Sequence, residues 1–339
     1  MKVLKNYNLP NSYKAAILKE AGSPLEIQDR KTDPLKPGEV WIKMKAAPIN
    51  PSDLVMLTGE YPHNKSYPYA PGLEGSGKVV ASGGGFMANY VLGKRVACSA
   101  SDRGDGTWAE YMKVKAGNCI PLKSALDFEQ GASALVNPST AMALLERVES
   151  GNHKSFINTA AGGALGKMII KLANRKKLTC ISIVRRKAQV EELKALGAEI
   201  VLNSSDEDFY TQLSKVYNKH KTRIILDAVG GEFCNTLLSP APDDTTLVSY
   251  GSLTKDAMQV NPILIIRFGK KVEGFHLAHW FGHQSMLKLL RFTKSTQKLI
   301  ADGTLNSNFA KRHSLTDINE AIKHYSKNMT KGKNLLVFD

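Results

Sequence analysis

The pattern of hydrophobic and polar positions changes near residue 137. Before that point, short strand-like stretches at residues 39–45 and 76–82 lie between turns rich in Pro, Gly and Asn, and residues 108–114 alternate as a half-exposed strand does. Helical spacing begins near residues 128–132 and continues through 140–149. The first part therefore predicts a predominantly β domain.

From residue 156 onward, short apolar runs alternate with helical patterns. Strands are predicted after residue 155 and at residues 180–184, 199–203, 223–229 and 245–251, with helices at 188–196, 206–217 and 284–301. Strands that alternate with helices indicate a doubly wound parallel sheet of the α/β class. A helix at 316–326 and a strand at 334–338 would rejoin the first domain, so we expect one domain from 1–136 plus 303–339 and a second from 137–302.

The first strand of the second domain runs into a glycine turn, residues 156–166 (FINTAAGGALG). A strand, a tight turn and a helix point backbone N–H groups and the positive end of the helix at a pyrophosphate. Gly163 would let the phosphates approach, and Gly166 would permit close packing of helix on strand. Because Ala161 and Ala164 stand where the usual pattern has glycine, an ordinary glycine-rich loop is the alternative. The predicted contacts are Gly162, Gly163, Ala164, Leu165 and Gly166.

The second predicted strand ends in Arg185, Arg186 and Lys187. An NAD-binding unit carries an acidic residue near this place for the ribose 2′-hydroxyl. Cations there would instead attract a 2′-phosphate, which arginine can bind with two hydrogen bonds. The sequence therefore favours NADPH as the cofactor.

Composition narrows the class of protein. The chain has 339 residues, 42% hydrophobic and 23% charged, which suits a globular protein of two domains without a membrane span. Its net charge of +15 indicates an anionic partner or simply a solvated basic surface, and no basic–aromatic interleaving suggests nucleic-acid binding. The four cysteines lie far apart, which predicts buried, inert thiols and no metal site.

With these features in place, the chain resembles the medium-chain dehydrogenase/reductase superfamily. Within it, the resemblance is to the zinc-independent quinone oxidoreductases and the mitochondrial-type trans-2-enoyl-thioester reductases. The motifs that carry it, in order, are residues 47–53 (APINPSD), 59–61 (GEY), 71–77 (PGLEGSG), 106–111 (GTWAEY), 137–141 (NPSTA), 227–231 (DAVGG), 250–253 (YGSL) and 274–277 (GFHL).

The resemblance implies a GroES-like β-rich catalytic domain beside a Rossmann domain that binds NADPH, and hydride delivery to an activated C=C bond without a metal. It implies that Tyr61 is the proton donor, although a structural tyrosine is the alternative. It also implies that Asn50 orients substrate or nicotinamide, or caps its loop. The implied cofactor contacts outside the glycine turn and residues 185–187 are Asn137, Thr140, Tyr250, Gly251, Ser252, Leu253, Phe275, His276, Leu277 and Lys333.

Two of these positions carry open alternatives. His276 replaces the tryptophan usual in the enoyl reductases, and it is either a polar lining of the acyl pocket or a satisfied core residue, the second being favoured. Lys333 either closes over the nicotinamide or is a solvated surface charge.

The function expected from the resemblance is NADPH-dependent reduction of a trans-2-enoyl thioester on coenzyme A or acyl carrier protein. The alternatives are a quinone or enone reductase, and a non-catalytic scaffold or nucleotide-sensing subunit of a larger assembly. An acidic acyl carrier protein would suit the basic chain. A homodimer is expected through an edge strand at residues 247–250 or 272–275, in the mitochondrial matrix or the cytoplasm, with the matrix favoured.

Overall fold

The computed structural model describes residues 9–60 and 64–339. The strands are β1 (Ser12–Ile17), β2 (Glu26–Lys31), β3 (Glu39–Pro48), β4 (Glu74–Ser82), β5 (Arg95–Ser99), β6 (Tyr111–Lys115), β7 (Cys119–Pro121), β8 (Ser155–Asn158), β9 (Thr179–Val184), β10 (Ile200–Asn203), β11 (Ile224–Asp227), β12 (Thr246–Ser249), β13 (Lys271–Gly274), β14 (Phe309–His313) and β15 (Lys333–Val337). The α-helices are α1 (Pro51–Leu57), α2 (Phe86–Val91), α3 (Phe128–Ala132), α4 (Asn137–Ser150), α5 (Ala164–Lys176), α6 (Lys187–Ala195), α7 (Phe209–His220), α8 (Phe233–Leu238), α9 (Pro262–Ile266), α10 (Leu277–Gly282), α11 (Met286–Ala301) and α12 (Ile318–Asn328).

The chain divides into two compact units. The first comprises Met1–Val136 and Thr293–Asp339, and the second comprises Asn137–Phe292. The second boundary falls inside α11, rather than at residue 302 where the helical pattern ends. The reason lies in Gln297, whose side chain accepts a hydrogen bond from the Lys123 backbone N–H (2.8 Å) and donates to the Pro121 carbonyl (3.1 Å). The C-terminal half of α11 therefore belongs to the first unit.

The first unit is built on a seven-stranded sheet. Its order is β14-β15-β3-β4-β5-β7, with β6 also paired to β3, and β1 and β2 form a separate antiparallel pair. The long central strand β3 is buried on both sides. Ile42 and Met44 pack in one apolar cluster, while Trp41 packs in another with Tyr13 and Ile17. The C-terminal strand β15 pairs antiparallel with β3, which places residue 333 in the interior of this unit.

The second unit contains a six-stranded parallel sheet in the order β10-β9-β8-β11-β12-β13. Ile157, Ile225 and Leu247 of its inner strands pack against Leu213 of α7 and Leu237 of α8. Strands covered by helices on both faces are short continuous apolar runs, and these runs located the strands in the sequence. The strand order reverses between β8 and β11, as in a Rossmann fold. The predicted fold class is confirmed.

The sheet order also decides between the two edge strands that the sequence offered for dimerisation. Residues 247–250 belong to β12, which lies between β11 and β13 and therefore has neighbours on both sides. That choice is wrong. The other choice, residues 272–275, includes most of β13, which is one of the two edge strands of this sheet together with β10, and Val272 is 39% exposed.

None of the described helices has both the length and the apolar character needed to cross a bilayer. The sixteen-residue helix α11, for example, carries basic residues at every turn, namely Lys288, Arg291, Lys294 and Lys298.

Candidate functional site

The predicted cofactor residues of the second unit lie at the carboxyl ends of the strands of its parallel sheet. The glycine turn follows β8, Arg185 follows β9, and Tyr250 follows β12. In open parallel sheets, ligands bind outside the carboxyl ends of the strands, where the strand order reverses. The fold thus brings together residues that lie far apart in the sequence.

Each glycine of the turn has different surroundings, which bear on whether another residue could replace it. A Cβ on Gly166 would lie 2.6 Å from the Ala161 backbone, so helix α5 could not pack this closely with any other residue. A Cβ on Gly162 would lie 2.3 Å from the Gln189 amide nitrogen. Gly163 precedes α5 and has no side chain to cap it. The first turn of α5 therefore starts from bare backbone, which suits the binding of an anion.

The turn is held by a buried carboxylate on β11, the strand that pairs with β8 in the sheet. Asp227, at the end of β11 and 0% exposed, accepts a hydrogen bond from the Thr159 hydroxyl at 2.7 Å. It also accepts from the backbone N–H groups of Val229 (3.2 Å) and Gly230 (2.9 Å). Asp227 thus ties the two strands on either side of the switch point together.

The basic residues after β9 are exposed. Arg185 begins the loop, Arg186 immediately precedes α6, and Lys187 is its first residue. The Ser205 hydroxyl, which follows β10, donates to the Arg185 carbonyl at 2.9 Å and holds the loop in place. An exposed pair of guanidinium groups with no acidic residue between strand and helix fits a 2′-phosphate.

The remaining predicted contacts of the second unit differ in accessibility. Burial raises the pKa of the half-buried Tyr250, with the nearby Asp227 carboxylate adding to the effect. The others fall into a half-buried or buried group, Asn137, Thr140, Gly251, Phe275 and Leu277, and an exposed group, Ser252, Leu253 and His276.

The expectation of a core histidine at position 276 is wrong. His276 is exposed, and its backbone provides the N-cap of α10. A short helix that starts at this residue leaves the imidazole outside the apolar core. A polar, accessible position is what the structure supports.

In the first unit, Asn50 and Lys333 come together in a buried polar network, hereafter the Glu74 network (Asn50, Asp53, Glu74 and Lys333). The Lys333 ammonium donates to the Asn50 side-chain oxygen at 2.7 Å and to the Glu74 carboxylate at 3.3 Å. The Asn50 amide nitrogen donates to the same Glu74 oxygen at 3.0 Å. The solvated alternative for Lys333 is wrong, because the side chain is 1% exposed, and its contact with a nicotinamide stays a prediction.

Asp53 completes the Glu74 network. It is 1% exposed, and its carboxylate accepts from the backbone N–H groups of Asn50 (2.8 Å) and Leu73 (3.0 Å). Burial raises the pKa of Asp53 to about 7, because the two N–H groups offset only part of the cost of desolvating the charge, and the Glu74 charge adds to that cost. A carboxyl group that titrates near neutrality is therefore built into the start of α1.

Sequence reasoning missed Glu74, Asp53, Asp227 and Gln189 as parts of these sites. The spacing of Asn50 and Asp53 at the start of an apolar helix is a capping signal that could have revealed Asp53. Glu74 stands alone in an apolar and glycine-rich segment, which is unusual for a carboxylate. Gln189 has no sequence signal, because its role depends on the packing of α6 against the turn. The proposed donor Tyr61 lies outside the described residues.

The prediction that the four thiols are buried is confirmed. All four thiols are buried, and burial raises the pKa of each, to about 12 for Cys119, Cys180 and Cys234. In residues 9–60 and 64–339, no three His, Cys, Asp or Glu side chains are grouped so that they could hold a metal ion.

Comparisons with known proteins agree with this architecture. Residues 36–124 match the family model of the alcohol dehydrogenase GroES-like domain, and residues 164–295 match the model described as zinc-binding dehydrogenase. A Mesorhizobium loti protein, provisionally assigned as an NADPH:quinone reductase, is 31% identical with a TM-score of 0.90, over 98% of this chain and 100% of its own.

Curated relatives carry a second name. The mitochondrial enoyl-[acyl-carrier-protein] reductase of Arabidopsis thaliana is 29% identical over 304 residues, which are 86% of this chain and 79% of that protein. The human enzyme of the same name is 28% identical over 343 residues, 96% of this chain and 89% of its own. The chain belongs to the medium-chain dehydrogenase/reductase superfamily, in its zinc-independent branch.

Proposed function

We propose that the protein reduces the C=C bond of a trans-2-enoyl thioester, using NADPH. Membership of the family makes the chain an NADPH-dependent oxidoreductase; the thioester substrate is the part proposed here. The observation that carries it is the similarity of nearly the whole chain to mitochondrial enoyl-[acyl-carrier-protein] reductases. The order of Asn50, Asp53, Gly59 and Tyr61 along the chain, typical of that branch, supports the same substrate.

The residues of the second unit fit the cofactor. The bare first turn of α5 would bind the pyrophosphate, and Arg185 and Arg186 would bind the 2′-phosphate. The half-buried Tyr250 at the end of β12 would lie along the nucleotide. When bound, NADPH supplies the hydride that reduces the β-carbon of the substrate.

The protein's own contribution is a proton and an orientation. Hydride addition to an enoyl thioester leaves negative charge on the α-carbon and the thioester oxygen. The Tyr61 hydroxyl would hydrogen-bond to the substrate and transfer its proton to the α-carbon, since a phenol stays protonated at neutral pH. Asn50 would act indirectly, because both ends of its side-chain amide bind Glu74 and Lys333.

A quinone or enone is the second candidate substrate. It is favoured by the similarity to the Mesorhizobium loti protein, which covers 98% of this chain. Both substrates present a double bond conjugated to a carbonyl, so the same proton donor and cofactor site would serve either.

Steady-state NADPH oxidation tests the proposal with crotonyl-CoA and a small benzoquinone as the two substrates. The expected result is turnover of crotonyl-CoA that falls about 10²-fold or more in Tyr61→Phe, the range of a positioned general acid. Tyr90→Phe is the matched control, because Tyr90 is an exposed tyrosine on α2 and is expected to leave the rate unchanged.

The outcomes separate the candidates. Turnover of the quinone alone would contradict the thioester proposal. Turnover lost on Tyr61→Phe would exclude the non-catalytic alternative, whereas NADPH binding without turnover of either substrate would favour it.

The partners and compartment are part of the same proposal. A homodimer would form through β13, an edge strand, which gains a neighbour where its backbone groups are otherwise unpaired. The net charge of +15 would favour an acidic acyl carrier protein over the free thioester at low salt. The predicted compartment remains the mitochondrial matrix or the cytoplasm, with the matrix favoured.

A further inference from the structure

The Glu74 network contains two charges that are almost fully removed from water. Glu74 is 0% exposed and Lys333 is 1% exposed. The Glu74 carboxylate accepts four hydrogen bonds: from the Lys333 ammonium, from the Asn50 amide, and from the backbone N–H groups of Leu135 (3.1 Å) and Val136 (2.9 Å). Every side of this carboxylate is thus occupied by a donor from the protein.

Stability alone does not explain such a pair. Desolvating two charges is costly, and a buried ion pair is often no more stable than apolar residues of the same volume. What the pair does provide is a fixed geometry among chain segments that are distant in sequence. It connects the residue before α1, the first residue of β4, the segment that leaves the first unit at Val136, and the first residue of β15.

The segment that the Glu74 network holds most directly is α1. This helix has seven residues, too few to hold itself in place without its surroundings. At its start, Asn50 is held by Glu74 and Lys333 through its side chain and by Asp53 through its backbone. At its end, the Leu57 carbonyl accepts a hydrogen bond from the backbone N–H of Gly22 at 2.7 Å.

Beyond α1 the chain reaches Tyr61 within four residues of Leu57. Because only three residues separate Tyr61 from the end of α1 in the sequence, we expect the position of α1 to affect the proposed proton donor. We propose that Glu74 and Lys333 are positioning residues for the reaction, which act through Asn50 on α1 and the segment that follows it. This inference rests on the proposed function.

The test compares two buried lysines. Lys333→Met removes the cation of the Glu74 network. Lys270→Met is the matched control, because Lys270 is 3% exposed and its ammonium donates to the carbonyls of Leu238 and Ser239 in the second unit, whereas α1 belongs to the first. Both variants lose a buried ammonium, so a general loss of stability would appear in both.

The expected kinetic result is a fall in kcat of about 10²-fold in Lys333→Met, the effect of displacing a catalytic group by roughly an ångström. The dissociation constant for NADPH, measured by fluorescence titration, is expected to stay within about twofold, since the glycine turn and the basic residues after β9 are untouched. Lys270→Met is expected to keep the wild-type kcat. Lys333→Arg, which retains the charge, is expected to recover most of the activity.

Hydrogen exchange provides a measurement that does not depend on the substrate. In Lys333→Met, the amides of residues 52–58 are expected to exchange faster than in the wild type, and in Lys270→Met they are expected to exchange at the wild-type rate. If Lys333→Met does not fold, the same measurements are made on Glu74→Gln, which keeps the shape of the side chain but places an NH2 group against donors, either the N–H groups of Leu135 and Val136 or the Lys333 ammonium and Asn50 amide.

Unchanged exchange in residues 52–58 of the folded variant would overturn the positioning role. An equal loss of kcat in Lys270→Met, or a parallel loss of NADPH affinity in Lys333→Met, would do so as well. A wild-type protein that turns over no thioester and no quinone would instead contradict the proposed function, while the exchange result would still decide whether the network holds α1.

Discussion

Asp53 should make the stability of the protein depend on pH in the neutral range. The ordinary pKa of this carboxyl is 3.8, and burial raises it to about 7 in the folded chain. A group whose pKa is raised by folding binds its proton more tightly in the folded state. Its contribution is therefore fully present below pH 3.8 and is lost as the pH rises through about 7.

The size of the effect follows from the shift. The difference between 3.8 and about 7 is about 3 pKa units, and each unit corresponds to about 1.4 kcal/mol, which amounts to a change on the order of 4 kcal/mol in the free energy of unfolding. Asp53→Asn removes the titration. Its amide can still accept from the Asn50 N–H but faces the Leu73 N–H with a donor, a pH-independent cost of about 1 kcal/mol or more.

The assay is urea unfolding of the wild type and Asp53→Asn between about pH 4 and about pH 8. The free energy of the wild type minus that of the variant is expected to fall by several kcal/mol over this range. Asp29→Asn is the control, because the Asp29 side chain is 64% exposed and its removal should leave the pH dependence unchanged. A difference between wild type and Asp53→Asn that is equal at both ends of the range would refute the reasoning.

Three further outcomes are expected. Gly166→Ala forces a Cβ to within 2.6 Å of neighbouring backbone, so we expect about 1–3 kcal/mol of lost stability and weaker NADPH binding, seen as a lower melting temperature that NADPH raises less than in the wild type. Replacing Arg185 and Arg186 by serine should weaken NADPH by about 10²-fold through lost charge-assisted hydrogen bonds and leave NADH nearly unaffected, and equal weakening of both in calorimetry would argue against a 2′-phosphate site. Tyr217→Phe removes the buried hydroxyl that donates to the Leu237 carbonyl at 2.9 Å, so urea unfolding should show a loss of about 1 kcal/mol with kcat unchanged.

Local patterns determined the elements and the cofactor turn of this protein. Short continuous apolar runs located the parallel strands, because strands buried on both faces have apolar residues at successive positions. The glycine turn and the basic residues after β9 could be recognised because a phosphate site is made by consecutive backbone groups and nearby side chains. These features depend on residues close together in the sequence.

Tertiary structure decided what the sequence left open or misplaced. Lys333 lies 283 residues from Asn50 and 259 from Glu74, and only the pairing of β15 with β3 brings its ammonium to them. The choice of β13 as the edge strand required the order of the whole sheet. Neither Lys333 nor the edge strand carries a local mark of its surroundings, because the neighbours that define its role are supplied by segments elsewhere in the chain.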